Sequence, residues 1–224
     1  MQKVGLDRVG RGSGVLFVLL FLADVVITPG EPAPDGAAGS IARYYTDHGP
    51  AVEQVSLLHA AGGVFFLLFL GALVSRTGWR RLPMVARTAA CAGVVAGALG
   101  LVSYATAGAA AYLAGHGADA ETVRAAAELR YVCSSYADVG LALLLGAAAL
   151  VPEMRLWLRW VGAGTAVLLL AGVAGTYSTG GLLDLAGFAG SLLFAVWVLL
   201  TCLVGRRPAE EPQRSPDSVR VVIG

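Results

Sequence analysis

Residues 54–75 read QVSLLHAAGGVFFLLFLGALVS. Apart from Gln54, Ser56, His59 and Ser75, every residue in this stretch is apolar or glycine, and none is Asp, Glu, Lys or Arg. An α-helix rises about 1.5 Å per residue, so about 20 such residues cross a hydrocarbon core roughly 30 Å thick. Five more runs of this kind lie at about 13–29, 86–113, 130–151, 157–177 and 182–204. Together they predict an all-α, polytopic transmembrane bundle of six spans. The composition agrees: of 224 residues 57% are hydrophobic and 14% charged, against about 25% charged in soluble domains.

The basic residues set an expected orientation. Lys3, Arg8 and Arg11 precede the first span, and Arg76, Arg80, Arg81 and Arg87 surround the second connection. Arg155 and Arg159 flank the fourth connection, and Arg206, Arg207, Arg214 and Arg220 fill the tail. Only Arg43, Arg124 and Arg130 fall on the other side. Cytoplasmic loops carry the excess of Lys and Arg, so both termini are expected in the cytoplasm of a cell membrane. Residues 1–12 then form a short cytoplasmic N-terminus, 13–204 the membrane domain, and 205–224 a disordered cytoplasmic tail. Asp24 interrupts the apolar run after Val15–Leu22, which favours a retained span over a cleaved secretory signal. Lysine occurs once among sixteen basic residues, a bias of GC-rich bacterial genomes.

Threading the spans in alternating directions puts the polar side chains at one depth. Asp24, His59, Ser103, Tyr104, Ser134, Ser135, Tyr136, Asp138, Thr176, Tyr177 and Asp184 all fall in the half nearer the outside. Ionisable groups inside a bilayer are costly and mark functional sites. A polar pocket opening outward is therefore expected, with Asp24, Asp138 and Asp184 as its carboxylates. His59, Tyr104, Ser134, Tyr136, Tyr177, Tyr44 and Tyr45 are its expected ligand contacts. Each also has a structural reading: Asp184 sits near a helix start, where the helix dipole favours a negative charge. Asp24 and Asp138 are suited to pairing with His59 or Arg130 as interhelical links. Tyr131, Ser134, Ser135 and Asp138 share a stripe at helical spacing.

The first outer connection opens with Pro29-Gly30-Glu31-Pro32-Ala33-Pro34. A short helix is expected from a Ser40 cap to Gly49-Pro50. Ile41, Tyr44, Tyr45 and His48 share one face of it, and Tyr44 and Tyr45 are expected as interfacial anchors or as a cover over the pocket. In the second outer connection Asp119 is placed to cap a helix that runs on into the fourth span, with Arg124 and Glu128 paired at i, i+4. Gly93-x-x-x-Gly97, Ala92-x-x-x-Ala96-x-x-x-Gly100, Gly172 and Gly175 permit close helix approach and leave a homo-oligomer open.

Cys91, Cys133 and Cys202 lie in apolar runs without CxxC spacing, so neither a disulfide framework nor a zinc site is indicated. The three histidines show no metal-ligand spacing, and no metal or cofactor is expected. A net charge of +1 carries no signal for nucleic acid.

Pro34-Asp35, Ile41-Ala42-Arg43-Tyr44-Tyr45-Thr46-Asp47-His48 and Phe69-Leu70-Gly71-Ala72-Leu73-Val74-Ser75-Arg76 resemble a group of uncharacterised actinobacterial six-span membrane proteins. The resemblance covers residues 34–76 and implies a polytopic membrane fold. That group has no assigned chemistry, so it implies no functional residues. In size, the chain is also similar to the small integral-membrane terpene cyclases of meroterpenoid pathways, but shares no identifying motif with them.

Three functions are compatible with these features. The first is binding of a small or lipophilic ligand in the outward-facing polar pocket. The second is an intramembrane enzyme in which Asp24, Asp138 or Asp184 protonates a lipophilic, isoprenoid-like substrate. There Tyr104, Tyr136, Tyr177, Phe188 and Trp197 would face the developing cation. The third is proton-linked transport, against which stand the dry inner halves of the spans. P-loop, dinucleotide-binding, haem-attachment and zinc-protease signatures are absent.

Overall fold

In the computed structural model, residues 2–27, 30, 32, 36–75, 77–176 and 181–204 are described; the side chains of 2–7, 77, 78 and 184 are not. All regular structure among them is helical: α1 (Gln2–Ile27), α2 (Ala38–Val74), α3 (Thr77–Arg80), α4 (Pro83–Gly115), α5 (Ala120–Ala149), α6 (Leu156–Thr176) and α7 (Gly181–Leu203). Six of these are long and apolar enough to cross a membrane. Their lipid-facing surface is what the composition requires: Leu19, Val26, Leu57, Val64, Leu143, Val167 and Leu185 are exposed, as side chains solvated by acyl chains should be. The chain is a multi-pass membrane protein. The tail at 205–224 lies outside the described residues.

The six long helices close into a ring. In it α1 packs between α2 and α7, α4 between α2 and α5, and α6 between α5 and α7, while α2 also touches α5 across the ring. Small residues allow the closest approaches. A Cβ on Gly140 of α5 would lie 2.8 Å from the carbonyl oxygen of Ala92 and 2.9 Å from the Cβ of Ala96 on α4. A Cβ on Gly187 of α7 would lie 2.9 Å from Cα of Gly172 on α6. The small-residue rows of α4 and α6 thus mark contacts between neighbouring helices of one chain.

Helices α2, α4 and α5 have 37, 33 and 30 residues, or about 55, 50 and 45 Å at 1.5 Å per residue. All three exceed the hydrocarbon thickness and continue past α1, α6 and α7 as a three-helix extension. The first outer connection differs from expectation here. Its helix does not stop at Gly49-Pro50: α2 runs through Pro50 without a break. Nor does Ser40 cap it, since the helix begins after Ala37 and the Ser40 hydroxyl donates to the Ala37 carbonyl at 2.7 Å. An interior proline costs roughly 3 kcal/mol. Burial on both sides of Pro50 offsets that cost. Ile41, Tyr44, Tyr45 and Val52 pack with Ala107, Ala110 and Ala111 of α4 and Val123 and Ala127 of α5. Tyr44 and Tyr45 therefore form the core of the extension, and Tyr45 is 1% exposed. They neither lie flat in the interface nor fold over the bundle.

Asp119 caps α5, its carboxylate accepting from the Thr122 amide at 3.0 Å and the Thr122 hydroxyl at 2.7 Å. Arg124 pairs with Glu121 at 3.0 Å and Glu128 at 3.5 Å. The two Thr122 hydrogen bonds, hydroxyl first, lower the Asp119 pKa below its ordinary 3.8. A lowered folded pKa stabilises the cap above the unfolded value, and that contribution fades as pH falls through the folded one. Asp119→Ala is expected to speed hydrogen exchange at Thr122 and Val123 at neutral pH. Acidifying the wild type below the aspartate range should reproduce this; unchanged exchange in the variant would count against the cap. Gly140→Leu should destabilise the bundle by about 1–3 kcal/mol through overpacking, measured by thermal unfolding in detergent. Gly71→Ala, whose new methyl meets nothing within 4 Å, should be tolerated.

Candidate functional site

Two apolar clusters make up the core. One is the extension just described; the other includes Val18, Phe66, Phe69, Leu70, Leu144, Leu145, Leu169, Trp197 and Val198. Between them, in sequence on every helix that crosses, lies a polar layer. Asp24, 9% exposed, projects from the last turn of α1. It accepts a hydrogen bond from the Tyr104 hydroxyl of α4 at 2.9 Å, and His59 Nε2 of α2 stands 3.6 Å from the same oxygen. His59 stacks on the Tyr104 ring with centroids 3.3 Å apart. A proton on Nε2 serves the contact with Asp24 whether the ring is neutral or charged. Arg130 of α5 is close enough to Asp24 for their charges to attract, and its guanidinium lies over the rings of Tyr104 and Tyr131, 5.8 and 5.6 Å from their centroids.

Hydroxyl groups join the remaining neighbours at this level. Ser56 of α2 donates to the Tyr104 carbonyl at 2.9 Å, and Ser103 of α4 to the Arg130 carbonyl at 3.0 Å. Ser135 of α5 and Thr176 of α6 share a hydrogen bond at 2.8 Å. The Tyr131 hydroxyl donates to the Pro32 carbonyl at 2.9 Å, tying the α1–α2 connection to α5. Each bond satisfies a polar group that the apolar bundle would otherwise strand.

Against this layer lies a partly open cavity of about 180 Å³, lined by residues of α1, α2, α4, α5 and α7. Phe17, Phe21, Phe66 and Phe194 form apolar walls, and Phe17 packs against Phe66 with centroids 5.3 Å apart. His59, Tyr104, Ser134, Asp138 and Ser191 supply polar surface. Gly97 and Gly100 leave room on the α4 side. Asp138 is half-buried and makes no hydrogen bond or ion pair among the described residues. Tyr104 also lines a second void, of about 10 Å³, beside Tyr44 and Tyr45.

Of the residues expected at a site, Asp24, His59, Tyr104, Ser134 and Asp138 converge. Tyr44 and Tyr45 lie beyond Tyr104, away from the cavity. Tyr136 is 55% exposed and points off the site. Tyr177 lies outside the described residues, as does the Asp184 side chain. Phe188 is exposed, and Trp197 is buried with its indole N–H donating to the Leu158 carbonyl at 3.1 Å; neither lines the cavity. The polar stripe of α5 divides. Ser134 and Asp138, four residues apart, face the cavity, whereas Ser135 turns to α6 and Tyr131 to the α1–α2 connection. The four phenylalanines were not singled out by sequence, because nothing in an apolar run separates a cavity wall from a packed or lipid-facing position. Outside the layer, His48 and His116 each contact the carbonyl four residues back on their own helices.

No family model, curated protein or solved structure matches this chain.

Removing the Tyr104 hydroxyl should weaken the layer without touching apolar packing. Tyr104→Phe is expected to lower stability by about 1 kcal/mol, the scale of interhelical hydrogen bonds in membranes. A double-mutant cycle with Asp24→Asn should give a non-zero coupling energy. Tyr136→Phe, at the exposed position, should change nothing. Additive effects of Tyr104→Phe and Asp24→Asn would remove the bond from the account.

Proposed function

We propose that this membrane protein binds a small lipophilic ligand in the cavity beside Asp24, Tyr104 and His59, and that the polar layer lies in the outer half of the bilayer. The carrying observation is the union of aromatic walls and convergent polar groups around about 180 Å³. Binding sites are mostly apolar with a few placed polar groups, and a dry engineered cavity of about 150 Å³ holds benzene. The excess of arginine at the opposite end of the spans supports a cytoplasmic position for both termini.

Ligand binding is favoured over transport by the second apolar cluster. Beyond the cavity, Phe69, Leu144, Leu145, Leu169 and Val198 are each 1% exposed or less, and the buried polar side chains described on that side, Ser13, Thr165 and Thr201, carry hydroxyls and no ionisable group. The acid chemistry considered for Asp24 is disfavoured by its position, because its carboxylate is already engaged by Tyr104 and His59.

Gly100 gives a direct test. A Cβ there meets nothing within 4 Å, so Gly100→Leu starts its side chain in open space and directs its bulk at the cavity that Gly100 lines. The variant should unfold no earlier than wild type, since glycine is about 1 kcal/mol less favourable than alanine within a helix. It should also lose lipophilic molecules that co-purify with the wild type, detected by native mass spectrometry. Equal retention in the variant and the wild type would rule out the cavity as the site.

A further inference from the structure

The cavity and the polar layer beside it hold an uneven set of charges. Asp24 is met by Tyr104, His59 and Arg130, so its charge has partners within the layer. Asp138 has none: it lines the cavity without a hydrogen bond or ion pair among the described residues. Asp138 sits one turn beyond Ser134 on α5, lining the same partly open space as Phe17, Phe21, Phe66 and Phe194. A carboxylate in an apolar bundle requires a counter-charge or a proton. Aromatic faces next to a carboxylate suit a cation, which the ring quadrupole attracts, and the attraction grows when water is excluded. An anion here would face Asp138 unscreened. A neutral ligand would leave Asp138 dependent on a proton, whereas a cation supplies the counter-charge directly.

From this juxtaposition we infer that the cavity selects a lipophilic amine. Its ammonium sits on Asp138, with Ser134 and Ser191 as further acceptors, and its apolar body lies against the phenylalanines. This rests on the ligand-binding function proposed above and names its ligand class. The volume fits one aromatic ring or a short alkyl chain near the ammonium. A longer chain would have to leave through the exposed side at Ser134.

The test compares three probes of similar shape on the full chain in a neutral detergent: phenethylamine, phenethyl alcohol and 3-phenylpropionate. Binding is measured by equilibrium dialysis against protein-free micelles. The amine is expected to bind at least about tenfold more tightly than the alcohol, and the propionate not at all. Asp138→Asn should bring the amine to the affinity of the alcohol, and Asp138→Glu should retain the preference. The wild-type comparison decides the matter even where Asp138→Asn fails to fold. Equal binding of amine and alcohol, or a preference that survives Asp138→Asn, overturns the amine assignment. In both of those cases binding that Gly100→Leu abolishes leaves the cavity reading standing. Failure of all three probes to bind the wild type overturns the amine assignment; when Gly100→Leu also retains every co-purifying molecule, the cavity reading falls with it.

Discussion

A carboxylate in the last turn of α1 cannot sit in an apolar bundle alone, and the arrangement around Asp24 follows from that constraint. Tyr104 supplies a hydroxyl, His59 a ring nitrogen and Arg130 a positive charge. These come from α4, α2 and α5, so one group on the first helix fixes the heights of three others. Once Tyr104 is placed, its carbonyl accepts from Ser56, and Ser103 next to it reaches the Arg130 carbonyl. Hydrogen bonds of this kind are individually small in membranes. Their effect is to set register, which apolar side chains sliding past each other define poorly.

The same layer explains why the core is split. Close-packed apolar side chains fill the space on either side, while the layer has a stacked pair of rings, small hydroxyls and glycines. Gly97 and Gly100 stand opposite the phenylalanines, and the cavity is the volume those glycines leave. Its polar and apolar surfaces come from different helices: Asp138 and Ser134 from α5, and the aromatic walls from α1, α2 and α7. Assembly of the ring therefore precedes the site.

The six long helices were legible because each carries about 20 apolar residues, a requirement of the bilayer rather than of this fold. The shared depth of Asp24, His59, Tyr104 and Asp138 was legible for a related reason: alternating spans convert sequence distance into height. Azimuth was harder. Ser134, Ser135 and Tyr136 are consecutive, yet one faces the cavity, one faces α6 and one is exposed. Each step turns a helix by about 100°, and only the neighbours decide which step points inward. Pro50 misled for a different reason. Local rules end a helix near proline, but the burial of Tyr45 and Val52 on either side of it is a tertiary effect that no local rule contains.

The unbroken course of α2 through Pro50 constrains how its gene can change. Tyr45 in the extension and His59 in the polar layer are fourteen residues apart, close to four helical turns. Both therefore point toward α4 from one rigid rod. Inserting or deleting a single codon between them would rotate one against the other by about 100°, separating either the tyrosine from its alanines or the histidine from Tyr104. Length variation is thus forbidden between these two positions.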